Sequence, residues 1–231
     1  MRSPWWREFA VVEQVSVVHI DLSKRAKYEA DAYQWLDAGE RARFRKFHSE
    51  DARRRFVMCR AALRENLCNI HGCSNEALHF SFMRQEKPIA FVNGAQTRGD
   101  FSVSHSFENG LIAFSSAARI GADVEDRKMR HDMDGPIREV FSPREQRALD
   151  RVCAAQKCGM FFRLWTHKEA IIKATGEGFR ADTSLFSLPD ELVKGGRRSE
   201  FVYPLETGQK WVLVNLENDS FAAAIAKEVL D

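Results

Sequence analysis

FSVSHSFENGLIAFSSAARIGADVED, residues 101–126, decides the reading of the fold. Two apolar runs, 101–107 and 111–115, flank Glu108-Asn109-Gly110. Asn-Gly between such runs is a strong short-range signal for a β-hairpin. A further short strand follows over 119–126, where Ile120, Ala122 and Val124 alternate with Gly121, Asp123 and Glu125. Successive strand side chains point to opposite faces, so the aliphatic residues bury one side while Asp123 and Glu125 share the other. Their Cα atoms stand roughly 6.5–7 Å apart along the strand. Two neighbouring carboxylates repel unless a cation lies between them. Hard oxygen ligands suit Mg²⁺, which typically takes one or two carboxylates together with a substrate phosphate. A solvated strand edge leading into the charged segment 126–128 fits the same pattern.

Working outward, the branched run within 10–20 predicts an opening strand, and residues 24–70 turn to a helical period with Phe56, Cys59, Leu63 and Leu67 three or four apart. Residues 78–83 alternate as a strand. A helix is predicted to begin at Ser142-Pro143, and a stronger one to run over 159–175, stopped by Gly176 and Gly178. The runs 211–216 and 221–226 around Asn218-Asp219 predict a second hairpin. Strands joined by hairpins and interrupted by helices give an α+β protein.

A chain of 231 residues makes one large domain or two small ones. Its 44% hydrophobic and 29% charged content excludes a disordered or fibrous chain, and a net charge of +2 excludes a general polyanion binder. Five cysteines do not form a disulfide framework. Cys68/Cys73, with His71 between them, and Cys153/Cys158 are spaced more widely than usual zinc ligands and are expected to be reduced thiols. No apolar run is long enough to span a membrane, and residues 1–9 lack the apolar core of a signal peptide. The expectation is a soluble, cytoplasmic protein.

Three further segments carry candidate chemistry. In the helix around FFRLWTHKEAIIK, residues 161–173, Trp165, Glu169 and Lys173 drift only about 40° per step at ~100° per residue and form one stripe. That stripe is either an i,i+4 salt bridge on a packed helix or a carboxylate one turn from a phosphate-binding ammonium. Ser104 and His105 supply a hydroxyl and an imidazole suited to phosphate oxygens, while the Gly-x-Ser-x-Gly of a nucleophile elbow is absent. A basic segment holds Arg41, Arg43, Arg45, Lys46, Arg53, Arg54, Arg55, Arg60 and Arg64, which suits a solvated helix face or a nucleotide phosphate. Ser142-Pro143-Arg144-Glu145 spells a capping box, which competes with any catalytic role for Glu145.

Residues 101–106, 120–125, 141–145, 165–170 and 173–176, in this order and spacing, resemble the 4′-phosphopantetheinyl transferases of the surfactin-synthetase-activating (Sfp) type. The resemblance implies two similar α+β halves in pseudo-twofold arrangement, 1–115 on the coenzyme side and 116–231 on the metal and catalytic side. It implies transfer of 4′-phosphopantetheine from coenzyme A to a serine of an apo acyl or peptidyl carrier protein, with Mg²⁺ as cofactor and release of 3′,5′-ADP. Such carriers serve fatty acid, polyketide or nonribosomal peptide biosynthesis. The implied metal ligands are Asp123, Glu125 and Glu169, with Lys173 on the transferred phosphate and Glu169 also in the catalytic set. Ser104, His105 and Lys87 are implied to bind coenzyme phosphates, Arg43 and Arg54 the adenosine 3′-phosphate, and Glu145 to act as base for the carrier serine. Glu86 stands where the family pattern commonly has Gly, Ala122 where it has a larger aliphatic residue, and Glu40 where it often has a basic one, which shifts the 3′-phosphate site toward Arg41 and Arg43. The expected partners are coenzyme A and the carrier, with neither nucleic acid nor membrane, the enzyme acting as a monomer. A nucleotide- or RNA-binding module built on the Arg-rich helix, without catalysis, is the alternative; the paired strand aromatics of common RNA-binding sheets are not evident.

Overall fold

The computed structural model describes residues 3–81, 87–127, 133–178, 181–204 and 208–230. Along the chain come β1 (Trp6–Val12), β2 (Val15–Asp21), α1 (Ala26–Tyr33), α2 (Ala38–Lys46) and α3 (Glu50–His71). Next are β3 (Leu78–Ser81), β4 (Ile89–Val92), β5 (Ala95–Gln96), β6 (Asp100–Ser106), β7 (Asn109–Ser115) and β8 (Ile120–Asp126). The rest is α4 (Asp134–Val140), α5 (Pro143–Arg151), α6 (Ala154–Thr175), α7 (Asp190–Val193), β9 (Arg198–Val202), β10 (Lys210–Asn215) and β11 (Phe221–Glu228). The α+β class is confirmed. Among the described residues no helix is long and apolar enough to cross a membrane, and all five cysteines are free.

Two four-stranded antiparallel sheets form, in the orders β1-β2-β7-β6 and β8-β11-β10-β9, and β3-β4-β5 makes a small third sheet. The even-numbered residues Val18, Ile20 and Ile112 pack on α3 through Val57, Met58 and Leu63. The odd-numbered residues Val15, Val17, Leu111 and Ala113 join Ile120, Ala122, Val124, Val212 and Ile225 in a layer between the two large sheets. On the far side of the second sheet, α6 buries Phe161, Phe162, Leu164 and Ile171 with Trp211 and Leu213. Each large sheet thus carries one 22-residue helix, and each helix ends on a left-handed glycine, Gly72 or Gly176.

The strand orders leave β6 and β8 as edges, and side chains join them. Asp100 Oδ2 accepts from Ile120 N at 2.8 Å, and Ser102 Oγ from Ala122 N at 2.9 Å. Ser104 donates to Asp123 Oδ1 at 2.7 Å, and Ser106 to Glu125 Oε2 at 2.6 Å. The register between the two sheets therefore rests on four short polar residues of β6.

Several sequence expectations shift. The opening run is a hairpin rather than one strand, broken at Glu13 and Gln14, both left-handed (φ 51° and 59°) although neither is a usual turn residue. The β6–β7 hairpin exists, but its loop is Phe107-Glu108, since Ser106 pairs with Asn109. Asn109 and Gly110 belong instead to β7 for packing reasons. The Asn109 side chain joins His19 to Asp126, and a Cβ on Gly110 would lie 3.1 Å from Cys59 Sγ and from Ile20 Cβ. α6 begins at Ala154, five residues before the expected start, because Gly159 sits inside a helix with open space around it. The strand expected over 78–83 is seen to Ser81; residues 82–83, Glu86 and Lys128 lie outside the described residues.

Candidate active site

β8 and α6 set the site. Gly121 lets them approach: a Cβ there would fall 1.8 Å from the Ala170 carbonyl oxygen and 2.6 Å from Ala174 N. This brings the polar stripe of α6 onto the carboxylate face of β8. Lys173 Nζ donates to Asp123 Oδ1 at 2.7 Å and to Ser104 Oγ at 2.9 Å, so residues of β6, β8 and α6 meet at one point. Asp123 is 3% exposed and its Oδ2 is buried with no hydrogen-bond partner among the described residues. Such an oxygen is costly to leave unsatisfied and marks a place for a ligand. Glu169 is held above the ordinary carboxylate range by desolvation first and by the negative charges of Asp123 and Glu125, against the pull of Lys173.

These carboxylates are hard oxygen donors, as Mg²⁺ requires. They are not assembled as a chelate, however. Among the described residues no group of three or more His, Cys, Asp or Glu side chains is arranged to hold a metal ion. Lys173 occupies Asp123 Oδ1 and Ser106 occupies Glu125 Oε2. The donor set and the orphaned oxygen fit the ion.

Two cavities meet at Lys173. The first, about 750 Å³, is lined by Lys87, Glu169, Ile172, Lys173, Gly178 and Thr183 among others. The second, about 410 Å³, is lined by Arg43, Phe56, Arg60, Pro88, Ser104, His105 and Lys173 among others. Together they offer an elongated anionic ligand a cationic junction with a pocket on either side. Lys87 sits at the first cavity but is also a seam residue, donating to Asp100 Oδ2 at 2.6 Å and to the Ile120 carbonyl. Burial lowers its proton affinity, with Asp100 opposing.

The basic segment divides differently from the sequence expectation. Arg43 reaches the second cavity, its guanidinium 5.4 Å from the Phe56 ring centroid. Arg54 is not among that cavity's lining residues: it is 7% exposed and donates to the Leu22 carbonyl at 2.8 Å and Asp51 at 2.6 Å. Arg60 lines the cavity in its place, four residues after Phe56 and so on the same helix face. That i,i+4 relation was the available signal. Arg41 turns to the Tyr33 ring and the Gln34 carbonyl, and Glu40, buried in the α2 capping box, pairs with Arg60 and Arg64.

Glu145 is not brought to the carboxylate cluster. It is fully buried (0% exposed) and completes the α5 capping box. Oε2 accepts from Ser142 N at 2.9 Å, Ser142 Oγ at 2.9 Å and Lys168 Nζ at 2.8 Å, while Oε1 accepts from Leu188 N at 2.9 Å. Both its oxygens are engaged in the cap, the Lys168 pair and the Leu188 contact, and it lies on a separate cavity of about 660 Å³ with Arg144, Met160 and Arg163, so the geometry favours the capping role.

Residues 119–226 match the 4′-phosphopantetheinyl transferase superfamily model. The 4′-phosphopantetheinyl transferase HetI of Nostoc sp. is 30% identical over 217 residues, covering 93% of this chain and 87% of that protein. A 4′-phosphopantetheinyl transferase of Bacillus subtilis is 27% identical over 172 residues, 74% of each chain. The 4′-phosphopantetheinyl transferase AcpT of Escherichia coli is 36% identical over 76 residues, 33% of this chain and 39% of its own. With that coverage of a relative on top of the β8–α6 geometry, the chain belongs to the 4′-phosphopantetheinyl transferase superfamily and is an enzyme of that family.

Proposed function

We propose that this enzyme moves 4′-phosphopantetheine from coenzyme A to a serine hydroxyl of an apo acyl or peptidyl carrier protein, with Mg²⁺ and with release of 3′,5′-ADP. The observation that carries the reading is the junction of Asp123, Ser104 and Lys173 between two cavities, with Asp123 Oδ2 left unsatisfied. Coenzyme A is long, with phosphates in the middle and at the adenosine end. Arg43, Arg60 and His105 hold the adenosine side in the smaller cavity, Ser104 and Lys173 hold the pyrophosphate, and the pantetheine arm lies in the larger cavity. Such remote contacts position the reacting phosphorus as well as raise affinity.

Bound at Asp123, Glu125 and Glu169, Mg²⁺ supplies charge neutralisation for the pyrophosphate and its leaving oxygen. Lys173 turns from Asp123 toward the transferred phosphoryl group, where its charge opposes the negative charge of the transition state. The serine Oγ forms a bond to the pantetheine-linked phosphorus and the bond from that phosphorus to the oxygen of 3′,5′-ADP breaks. A carboxylate oxygen of Glu169 accepts the serine proton. We infer action as a monomer. We assign residues 1–115 the adenosine side and residues 116–231 the carboxylate side, and place the enzyme in the cytoplasm, where thiols stay reduced.

Asp123→Ala and Glu169→Ala should each abolish coenzyme A-dependent labelling of a carrier while circular dichroism shows the fold retained, with a lowered melting temperature for Asp123→Ala, which loses the Ser104 and Lys173 bonds. Near-wild-type turnover of either variant at saturating Mg²⁺ would show that the metal site is misplaced.

A further inference from the structure

Two cysteine pairs share one spacing, and the fold treats them differently. Five positions along a helix leave two side chains about 140° apart around its axis. Cys153 and Cys158 stand close to that relation, since Cys153 is the N-cap of α6 and Cys158 lies within the helix. Cys68 and Cys73 do not. α3 stops between them at Gly72, whose left-handed backbone (φ +59°) turns the chain back on itself.

The reversal carries Cys73 over the last turn of α3. Cys73 N donates to the Cys68 carbonyl at 3.1 Å. This is the six-to-one bond of a Schellman helix end, which sets the side chains of its first and sixth residues in contact. A bond of that length keeps the two Cα atoms within about 7 Å of each other, and disulfides span Cα separations of about 4.4–6.8 Å. The thiols complete the contact, the Cys68 side chain being hydrogen-bonded to Cys73.

Both cysteines are free, Cys68 buried and Cys73 partly exposed. Burial first, and then the neighbouring Cys73, push the Cys68 thiol up. That difference sets an order of reaction, with the outer sulfur engaging a reagent before the inner one. Neither cysteine lines the two cavities assigned to coenzyme A.

We propose that Cys68 and Cys73 are a redox-active pair, reversibly modified by low-molecular-weight disulfides such as oxidised glutathione. Cys73 gives its proton to solvent and its thiolate attacks one sulfur of the glutathione disulfide, releasing one glutathione. Cys68 then gives up its proton and attacks the Cys73 sulfur, releasing the second. In sum, two protein thiols lose two electrons and two protons, and one glutathione disulfide becomes two glutathione thiols. In a reducing compartment the pair rests as thiols, and it closes when the disulfide fraction of the pool rises. None of this chemistry draws on coenzyme A or a carrier protein.

The test equilibrates the full-length enzyme with glutathione redox buffers of graded composition, native and in concentrated urea. Samples are then quenched with acid, alkylated and digested with trypsin. Residues 65–84 form one tryptic peptide that holds Cys68 and Cys73 and no other cysteine. From the native enzyme this peptide should emerge unalkylated and lighter by two hydrogens, and dithiothreitol should restore the doubly alkylated form. The equilibrium constant for closing Cys68–Cys73 should exceed that for Cys153–Cys158 by at least about tenfold, a gap of about 30 mV between the two couples. That gap should vanish in urea. Cys68→Ser should stall with glutathione on Cys73, whereas Cys73→Ser should leave Cys68 unmodified. A native wild-type peptide that stays doubly alkylated, or ends carrying glutathione, would overturn the proposal. So would equal closure of the two pairs, selectivity that persists in urea, or glutathione settling on Cys68 in Cys73→Ser. The wild-type comparison stands whether or not either serine variant folds.

Discussion

Glu145→Gln separates a structural carboxylate from a catalytic one. All four groups that face Glu145 are donors: Ser142 N, Ser142 Oγ, the Lys168 ammonium and Leu188 N. A glutamine amide offers one acceptor oxygen and two N–H donors, so no orientation satisfies this ring of donors. Lys168 is 0% exposed, and its remaining partners are the carbonyls of Thr183 at 2.6 Å and Phe186 at 2.8 Å, with the Phe186 ring centroid 4.4 Å away. Removing the charge of Glu145 leaves a buried cation without its counter-ion. Breaking a buried pair from one side costs about 3–5 kcal/mol, which for a chain of this length corresponds to a fall of roughly 6–20 °C in melting temperature. Burial already lowers the proton affinity of Lys168, with Glu145 opposing. A lowered amine loses its burden as pH rises through its folded pKa, so the deficit of Glu145→Gln should shrink under alkaline conditions. The assay is thermal denaturation between pH 7 and 10, together with turnover per folded molecule well below the transition. A melting temperature within a degree or two of wild type, accompanied by lost turnover, would refute the structural assignment and restore Glu145 as a base.

Other expectations are as direct. Gly121→Ala should cost at least ~3 kcal/mol and remove activity, because its methyl meets backbone of α6 rather than a movable side chain; near-normal melting would show that β8 and α6 are not in close contact. His167 is held at about 4 by burial, while its Nδ1 donates to the Arg163 carbonyl at 2.7 Å. The unfolded chain therefore takes up this proton first as pH falls below about 6.5, and stability should drop by about 2 kcal/mol between pH 7 and pH 5. His167→Leu should flatten that part of the urea-denaturation profile, and an unchanged slope would assign it to other groups. Removing the 3′-phosphate from coenzyme A should weaken wild type far more than Arg43→Ala or Arg60→Ala, whereas Arg54→Ala should mainly lower stability by freeing the Leu22 carbonyl. Equal losses of affinity in wild type and both cavity variants would put the adenosine end elsewhere.

Local periodicity made the heart of the site readable. Alternation over 120–125 placed Asp123 and Glu125 on one face of β8, and the i,i+4 relation placed Glu169 and Lys173 on one stripe of α6. The cap at Ser142 was equally legible because its partners lie within four residues. What escaped were partners far apart in sequence. Lys168 completes the environment of Glu145 from 23 positions away, and nothing local to either residue announces the pair. Among the arginines of α3, composition cannot tell which guanidinium reaches a cavity and which holds a loop carbonyl: Arg54, expected at the ligand, holds the Leu22 carbonyl, and Arg60 lines the cavity. The two misread turns have a common cause. Glu13, Gln14 and Phe107 take left-handed backbone conformations without the residue types that mark them, while the Asn-Gly pair that does mark a turn is used in β7 for a side-chain bridge and a close approach. The strands β4, β5 and β9 and the helix α4 are short and weakly patterned, and they too went unread.

The central claim concerns transfer through the Asp123–Lys173 junction. It is tested most directly by incubating the enzyme with coenzyme A, Mg²⁺ and a panel of apo acyl and peptidyl carrier proteins, then weighing the intact carriers. The expected result is at least one carrier heavier by one phosphopantetheine at a single serine, with the gain lost on chelation of Mg²⁺ and in Lys173→Ala. No mass gain on any carrier, or an undiminished gain after chelation or with Lys173→Ala, would contradict the account.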